Sequence, residues 1–187
     1  MRSSKALLII DMQKGSFTAK TPRFDAKGTV FRINELSSTF RALKLPVIFI
    51  QHDGTGNGEF EKNAPDWENL DEPITKSEDV LIDKYANDSF YRSALESKLI
   101  EMDTRELFVT GCATDFCVES TIQSAITKDF KVTVVSDAHT TGDRPKLKAE
   151  QVIEHYNWVW QHMIRVGGSV SVLSSEQVKE MLNSSAL

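Results

Sequence analysis

Short apolar runs of strand length alternate along the chain with longer stretches of helical periodicity. Runs of this kind, mostly rich in β-branched residues, predict buried strands at Ala6–Ile10, Val47–Ile50, Leu107–Thr110, Val132–Val135 and Val170–Leu173. A shorter apolar run, Val80 to Ile82, ends two residues before Lys84 and is a further candidate strand end.

Between these runs, apolar residues recur at spacings of three and four, which is typical of one buried helix face. Four such sets are Val30, Ile33, Leu36, Phe40 and Leu43; Leu95, Leu99 and Met102; Val118, Ile122, Ala125 and Ile126; and Val152, Tyr156, Val159 and Met163. Strands that alternate with helices predict right-handed βαβ units and an α/β fold, with a parallel sheet covered on both faces. The 187 residues contain no repeat or linker, so we expect one domain over residues 1–187.

Composition narrows the function classes. The net charge of -5 gives no basic excess for nucleic acid or an anionic membrane. The apolar run at the start, Ala6–Ile10, is too short for a signal peptide, and no run reaches the length of a membrane span. With only two cysteines, Cys112 and Cys117, a disulfide scaffold is not expected, and the sequence predicts reduced thiols and a cytoplasmic protein.

Three side chains that could take part in catalysis follow apolar runs. Asp11 ends the first predicted strand, Lys84 follows the run at 80–82, and Cys117 lies shortly after Cys112 at the end of another strand. Because ligands of parallel sheets bind beyond the carboxyl ends of the strands, these residues could share one rim. Each alone has an ordinary alternative, since an aspartate can cap a turn, a lysine can be solvated and a cysteine can be a small buried residue.

Together the three make chemical sense. Thr114 is a candidate N-cap for a helix that begins near Asp115, which would put Cys117 in the first turn, where backbone N–H groups favour a thiolate. An ammonium beside a thiolate stabilises it, and a carboxylate can take the thiol proton and later pass it to a leaving group.

The sequence does not match the motifs of dinucleotide-binding proteins, cysteine phosphatases or zinc enzymes. The segment from Gly54 to Glu59 has glutamate where a dinucleotide fingerprint needs its third glycine. A cysteine phosphatase needs arginine six residues after its nucleophile, where Gln123 follows Cys117. The four histidines have no familiar zinc spacing, so we expect neither a cofactor nor a metal.

Three motifs carry a resemblance to a known family. Leu7–Gln13, Lys84 with Ser89-Phe90, and above all Gly111–Val118 resemble the isochorismatase-like cysteine hydrolases, which include nicotinamidases, N-carbamoylsarcosine amidohydrolases, ureidoacrylate-type amidohydrolases and isochorismatases. The resemblance implies a three-layer α/β/α, Rossmann-like fold with a six-stranded, mainly parallel sheet. It also implies that Cys117 is the nucleophile, Asp11 the general acid/base and Lys84 its electrostatic partner.

The resemblance has further implications for the site. It implies a cis peptide before Ala113 and an oxyanion hole made by the N–H groups of Ala113 and Cys117. Candidates for the wall of the substrate pocket are Phe17, Trp67 and Phe90. A homo-oligomer, dimer or tetramer, is expected from the resemblance together with an exposed aromatic helix around Trp158 and Trp160.

Two departures from the family pattern refine the expected activity. Nicotinamidases have an Asp-x-His metal motif where this chain has Gln51-His52-Asp53, which predicts a metal-independent enzyme. Isochorismatases need not keep the cysteine, so Cys117 favours amide chemistry. We therefore expect cleavage of a small amide, carbamoyl or related C–N bond through a thioester, with specificity set partly by the long segment 53–77. Ether hydrolysis, a redox pair of the two cysteines, and a silent small-molecule-binding protein remain alternatives.

Overall fold

A six-stranded sheet forms the centre of the computed structural model, which describes residues 5–72, 75–164 and 169–184. In chain order the strands are β1 Lys5–Ile10, β2 Val47–His52, β3 Val80–Lys84, β4 Glu106–Cys112, β5 Lys131–Thr140 and β6 Val170–Leu173. Their spatial order is β3-β2-β1-β4-β5-β6, and all neighbours pair in parallel. The expected α/β/α fold is confirmed, and the sheet is wholly rather than mainly parallel.

Helices cover both faces of this sheet. They are α1 Ala26–Ala42, α2 Leu95–Glu101, α3 Glu119–Thr127, α4 Ala149–His162 and α5 Ser175–Ser184, with a 3-10 turn at Lys14–Ser16 and a π-helical turn at Thr114–Val118. Alternate residues of β1 point to opposite faces, because side chains alternate along a strand. Ala6, Leu8 and Ile10 pack in one core with α2, α3 and α4, whereas Leu7 and Ile9 pack in the other with α1 and α5.

Two elements differ from the sequence prediction. Strand β5 runs to Thr140, five residues beyond the apolar run that predicts it, because its polar second half continues to pair with β4. Helix α5 was not predicted, although Val178 and Leu182 lie four residues apart on its buried side. The long segment after β2 is a loop, as expected, and its residues 73–74 lie outside the described part of the chain.

The aromatic helix α4 is only partly exposed. Trp158 keeps 59% of its surface, but Trp160 is fully buried, where its indole N–H donates to Glu119 and its ring contacts His139. The prediction of an exposed aromatic surface around both tryptophans is therefore wrong for Trp160. Its place on the inner side of α4, against the start of α3, explains the burial. Within the described ranges, no helix has the length and apolarity needed to cross a bilayer.

The strand ends nearest the centre of the sheet approach each other closely. Gly111 near the end of β4 has φ +117, and a Cβ atom there would lie 2.1 Å from the carbonyl oxygen of Ile10. Only glycine fits this approach. It lets the segment that carries Cys112 and Cys117 leave the sheet directly beside Asp11.

Candidate active site

Asp11, Lys84 and Cys117 meet at the carboxyl ends of the strands, as the sequence predicts. Asp11 follows β1 with φ 48, Lys84 is the last residue of β3, and Cys117 lies in the π-helical turn after β4. Lys84 Nζ lies 2.8 Å from Asp11 Oδ2 and 3.3 Å from Cys117 Sγ. The ammonium therefore links the carboxylate and the sulfur in one chain of contacts.

The position of Lys84 is fixed on all sides. Its side chain is fully buried, and Nζ also donates to the carbonyl of Ala86 at 2.8 Å, so three acceptors match its three N–H groups. Burial alone would lower the pKa of Lys84, but its interactions with Asp11 and Cys117, above all with the Asp11 carboxylate, outweigh burial and raise that pKa. The ion pair with Asp11 therefore favours the ammonium form of Lys84 at the centre of the site.

Among the described residues, one oxygen of Asp11 has no hydrogen-bond partner. Asp11 is 5% exposed, and Oδ1 is buried without a hydrogen bond, whereas Oδ2 is paired with Lys84. A buried oxygen of this kind is costly unless a proton, a water molecule or a ligand satisfies it. The carboxylate can therefore accept a proton on Oδ1 without breaking its ion pair.

The surroundings of Cys117 act in opposite directions on its thiol. Burial, reinforced by the carboxylate of Asp11, raises the pKa of Cys117 well above the ordinary value, although Lys84 acts in the opposite direction. These effects favour the protonated thiol over the thiolate, and the thiolate stabilised by the helix start stays a prediction. The thiol can donate to Asn87 Oδ1, which lies 3.7 Å from Sγ.

Thr114 does not cap the helix, contrary to the sequence prediction. Ala113 holds the N-cap position, and the hydroxyl of Thr114 instead contacts Nδ1 of buried His139 at 2.9 Å. Nε2 of His139 lies 3.0 Å from Asn157 Oδ1, while Asn157 Nδ2 donates to the carbonyl of Ser136. Asn157 Oδ1 is thus an acceptor, which places the imidazole proton on Nε2 and makes Thr114 the donor to Nδ1. This network anchors the turn that carries Cys117.

The buried imidazole gives stability a defined pH dependence. Burial lowers the pKa of His139 to about 4 from 6.5. As the pH falls from 6.5 to 4, the unfolded chain gains this proton and the folded protein does not, so stability is lost across that window. The contribution of His139 should make the protein about 2 kcal/mol less stable at pH 5 than at pH 7.

Urea unfolding at both pH values measures this difference. His139→Gln should remove that part of the pH dependence, whereas His155→Gln, which removes an exposed imidazole, should keep it. An unchanged pH dependence in His139→Gln would contradict the assignment.

The backbone around Ala113 has the form that the resemblance implies. The peptide bond between Cys112 and Ala113 is cis. The carbonyl of Ala113 accepts from the N–H groups of Phe116 and Val118, each at 3.1 Å. Ala113 and Cys117 both line the same cavity, so their N–H groups are available as candidates for an oxyanion hole.

A cavity of about 260 Å³ opens at this rim. It is lined by Asp11, Gln13, Ser16, Arg23, His52, Phe60, Asn87, Cys112, Ala113, Phe116, Cys117 and Arg144. Its size suits a small molecule. The lining residues that sequence reasoning missed come mostly from loops; Gln13 and Phe116 had a signal, since each stands in a motif that carries the resemblance.

The three predicted aromatic wall residues do not line this cavity. Phe90 is in the core, where its ring stacks on Phe130 at 5.8 Å, and Phe17 packs against the core on the other face of the sheet. Trp67 supports the site through its backbone rather than its ring. Its carbonyl accepts hydrogen bonds from Gln13 Nε2 at 2.8 Å and from Gln51 Nε2 at 3.2 Å. The pocket prediction is therefore wrong, and Phe60 and Phe116 supply the aromatic surface instead.

Gln13, the last residue of the motif Leu7–Gln13, has a structural role. Fully buried, its side-chain amide accepts from the N–H of His52 and donates to the carbonyls of His52 and Trp67. These bonds join the end of β1 to the end of β2 and to the long loop. Gln13 thus positions the loop that brings Phe60 to the cavity.

Metal chemistry would require a set of side chains that could bind a metal ion. In residues 5–72, 75–164 and 169–184, no group of three or more histidine, cysteine, aspartate or glutamate side chains could hold a metal ion. The sequence has no Asp-x-His motif after β2, so we expect activity to survive exhaustive chelation within about twofold, as assayed by product release. Restoration of a lost activity by added zinc or manganese would contradict this prediction.

Comparisons with known proteins agree with this architecture. The family model described as "Isochorismatase domain" matches residues 5–166. Streptothricin hydrolase of Streptomyces noursei is 28% identical over 78% of this chain, and the match spans 58% of that protein. Ureidoacrylate amidohydrolase RutB of Stutzerimonas stutzeri is 27% identical over 75% of this chain and 71% of its own length.

A solved structure supports the fold. The crystal structure of a cysteine hydrolase from Pseudomonas syringae pv. phaseolicola superposes with a TM-score of 0.88, covers 97% of this chain and 93% of its own, and is 23% identical. That likeness concerns the fold, whereas the family model covers most of the sequence. The chain belongs to the isochorismatase family of hydrolases.

Proposed function

We propose that this protein is a cysteine amidohydrolase that cleaves a small amide, carbamoyl or related C–N bond through a thioester on Cys117. The observation that carries the proposal is the contact chain Asp11–Lys84–Cys117 at the floor of the cavity. Two relatives described above are named as a hydrolase and an amidohydrolase, which supports the same reaction class.

The first half of the reaction forms the thioester. Asp11 Oδ1 takes the thiol proton of Cys117, and Lys84 stabilises the thiolate at the moment it forms. The sulfur attacks the substrate carbonyl carbon, and the N–H groups of Ala113 and Cys117 bind the resulting oxyanion. When the C–N bond breaks, Asp11 returns the proton to the leaving nitrogen, which departs as ammonia or an amine.

The second half releases the acid. Asp11, again a carboxylate, takes a proton from a water molecule that attacks the thioester carbonyl. The C–S bond breaks, Cys117 leaves as thiolate beside Lys84, and the proton on Asp11 restores the thiol.

A panel of primary amides, ureido acids and carbamoyl compounds, assayed for ammonia release, tests this activity. The same panel should include a vinyl ether of the isochorismate type, whose cleavage would show the alternative activity, ether hydrolysis. We expect C–N cleavage by the wild-type protein. Cleavage of the ether alone would contradict the proposal, and turnover of neither class would favour the silent binding protein.

Alkylation separates the hydrolase from a redox protein. Both cysteines line the cavity and burial raises the pKa of each, but Cys112 is buried, whereas Cys117 is partly exposed and its sulfur contacts the Lys84 ammonium. Iodoacetamide should therefore modify Cys117 first, with activity loss in proportion to that adduct, as read by peptide mapping. Lys84→Ala should slow the modification. A Cys112–Cys117 disulfide that forms and breaks with activity would favour redox chemistry.

A further inference from the structure

Within the part of the chain that the structure describes, one arginine of the cavity forms no ion pair with a carboxylate. Two arginines line the cavity, Arg23 and Arg144. Arg144 is occupied, since it donates to both oxygens of Asp115 at 2.6 and 2.7 Å and to the Thr141 hydroxyl at 2.7 Å. Its guanidinium also lies over the ring of Phe116, 4.9 Å from the centroid. Arg144 is therefore a rigid, neutralised part of the wall.

Arg23 is in a different situation. Its Nε donates to the carbonyl of Ser16 at 2.7 Å, which fixes the direction of the side chain. Across the described ranges, its two terminal nitrogens have no hydrogen bond and no ion pair, and the residue is half-buried. The planar edge of this guanidinium is thus free to donate two parallel hydrogen bonds.

The surroundings of Arg23 contain little negative charge. Among the described lining residues, Asp11 is the sole carboxylate, and its charge is already paired with Lys84. Gly142 has no side chain between the arginines: a Cβ atom there would lie 3.5 Å from a terminal nitrogen of Arg23 and 4.0 Å from one of Arg144. Two guanidinium groups therefore border the same side of the cavity, with one free edge.

We propose that Arg23, supported by Arg144, binds a carboxylate of the substrate. The preferred substrate is then a small amide or carbamoyl compound with a carboxylate at the end away from the scissile C–N bond. This inference rests on the proposed function and names its substrate class. The two oxygens of a planar carboxylate can accept two parallel hydrogen bonds from the guanidinium of Arg23. The negative charge of the substrate would also balance Arg23, because the carboxylate of Asp11 is already paired with Lys84.

Binding can be measured apart from turnover. Succinamate has a primary amide at one end and a carboxylate at the other, and succinamide replaces that carboxylate with a second amide. Isothermal titration of the Cys117→Ala protein, in which the proposed nucleophile is absent, should give a Kd for succinamate at least about tenfold lower than for succinamide. The longer pair glutaramate and glutaramide covers a second distance between amide and acid.

Variants assign the preference to Arg23. In the Cys117→Ala background, Arg23→Gln should bring the two Kd values together, and Arg23→Lys should keep part of the preference because the charge remains without the fork. Lys20→Gln removes one positive charge from an exposed position of the same loop and is the matched control. It should leave the preference within about twofold, because exposed charges are screened.

The outcomes separate the two proposals. Equal binding of acid and amide, binding of neither, or a preference that survives Arg23→Gln would each overturn the carboxylate site. Ammonia release from succinamate or glutaramate by the wild-type protein reads the proposed function independently. An acid that binds through Arg23 without ever releasing ammonia, while no other compound of the panel is hydrolysed, would overturn the amidohydrolase and leave the binding site standing.

Discussion

Replacing Cys117 with alanine is expected to lower kcat/KM for the best amide of the panel by at least about 10⁴-fold. The variant keeps the cavity, the ion pair of Asp11 and Lys84, and the backbone N–H groups. It loses the sulfur that forms the covalent bond. Losses of this size are typical when a nucleophile is removed from a group of residues that act together.

The measurement needs a control for folding. Cys117 is only partly buried, so the far-UV circular dichroism and the urea midpoint of the variant should match those of the wild-type protein. Adding Asp11→Asn to Cys117→Ala should reduce turnover hardly further, because the carboxylate has no thiol proton left to move. Turnover within tenfold of the wild type in the single variant would contradict the mechanism.

The ion pair of Asp11 and Lys84 gives the second large effect, on stability as well as activity. Lys84→Met leaves a buried carboxylate without its partner, and breaking a buried pair in this way costs about 3–5 kcal/mol. The same change removes the cation that stabilises the thiolate, so turnover should fall by about 10²- to 10⁴-fold. Urea unfolding and ammonia release measure the two consequences separately.

The double variant Asp11→Asn, Lys84→Met tests this interpretation. Removing both charges should recover most of the lost free energy of unfolding, because no uncompensated charge remains buried. Turnover should stay as low as in the single variants. Lys98→Met, which removes a lysine from an exposed pair on α2, should change neither quantity measurably. Recovery of activity in the double variant would show that the pair has a structural role only.

Strand ends were the most predictable part of the site. Asp11 and Lys84 each stand at or just beyond the carboxyl end of an apolar run, and parallel pairing brings such ends to one edge of the sheet. The position of Cys117 could be anticipated for the same reason, from the strand that ends at Cys112. The alternation of apolar runs and helical stretches therefore predicts both the fold class and the proximity of the three side chains.

The rest of the site depends on contacts that no local pattern encodes. Phe90 packs on Phe130, which is distant in sequence, so its aromatic character could not tell core from cavity. Arg23 reaches the cavity from a loop with no motif. The raised pKa of Cys117 follows from the burial of its sulfur and from the nearby Asp11 carboxylate, which position in a helix does not reveal.

The covalent intermediate offers the most direct test of the central claim, that Cys117 forms a thioester with the substrate. Wild-type protein turning over the best amide of the panel is quenched in acid, digested and analysed by mass spectrometry. We predict an adduct on the peptide that contains Cys117, with the mass of the substrate less ammonia, and its loss on treatment with hydroxylamine. During confirmed steady turnover, an adduct on any other residue, or an unmodified Cys117 at every quench time under conditions where acyl transfer is not rate-limiting, would contradict the account.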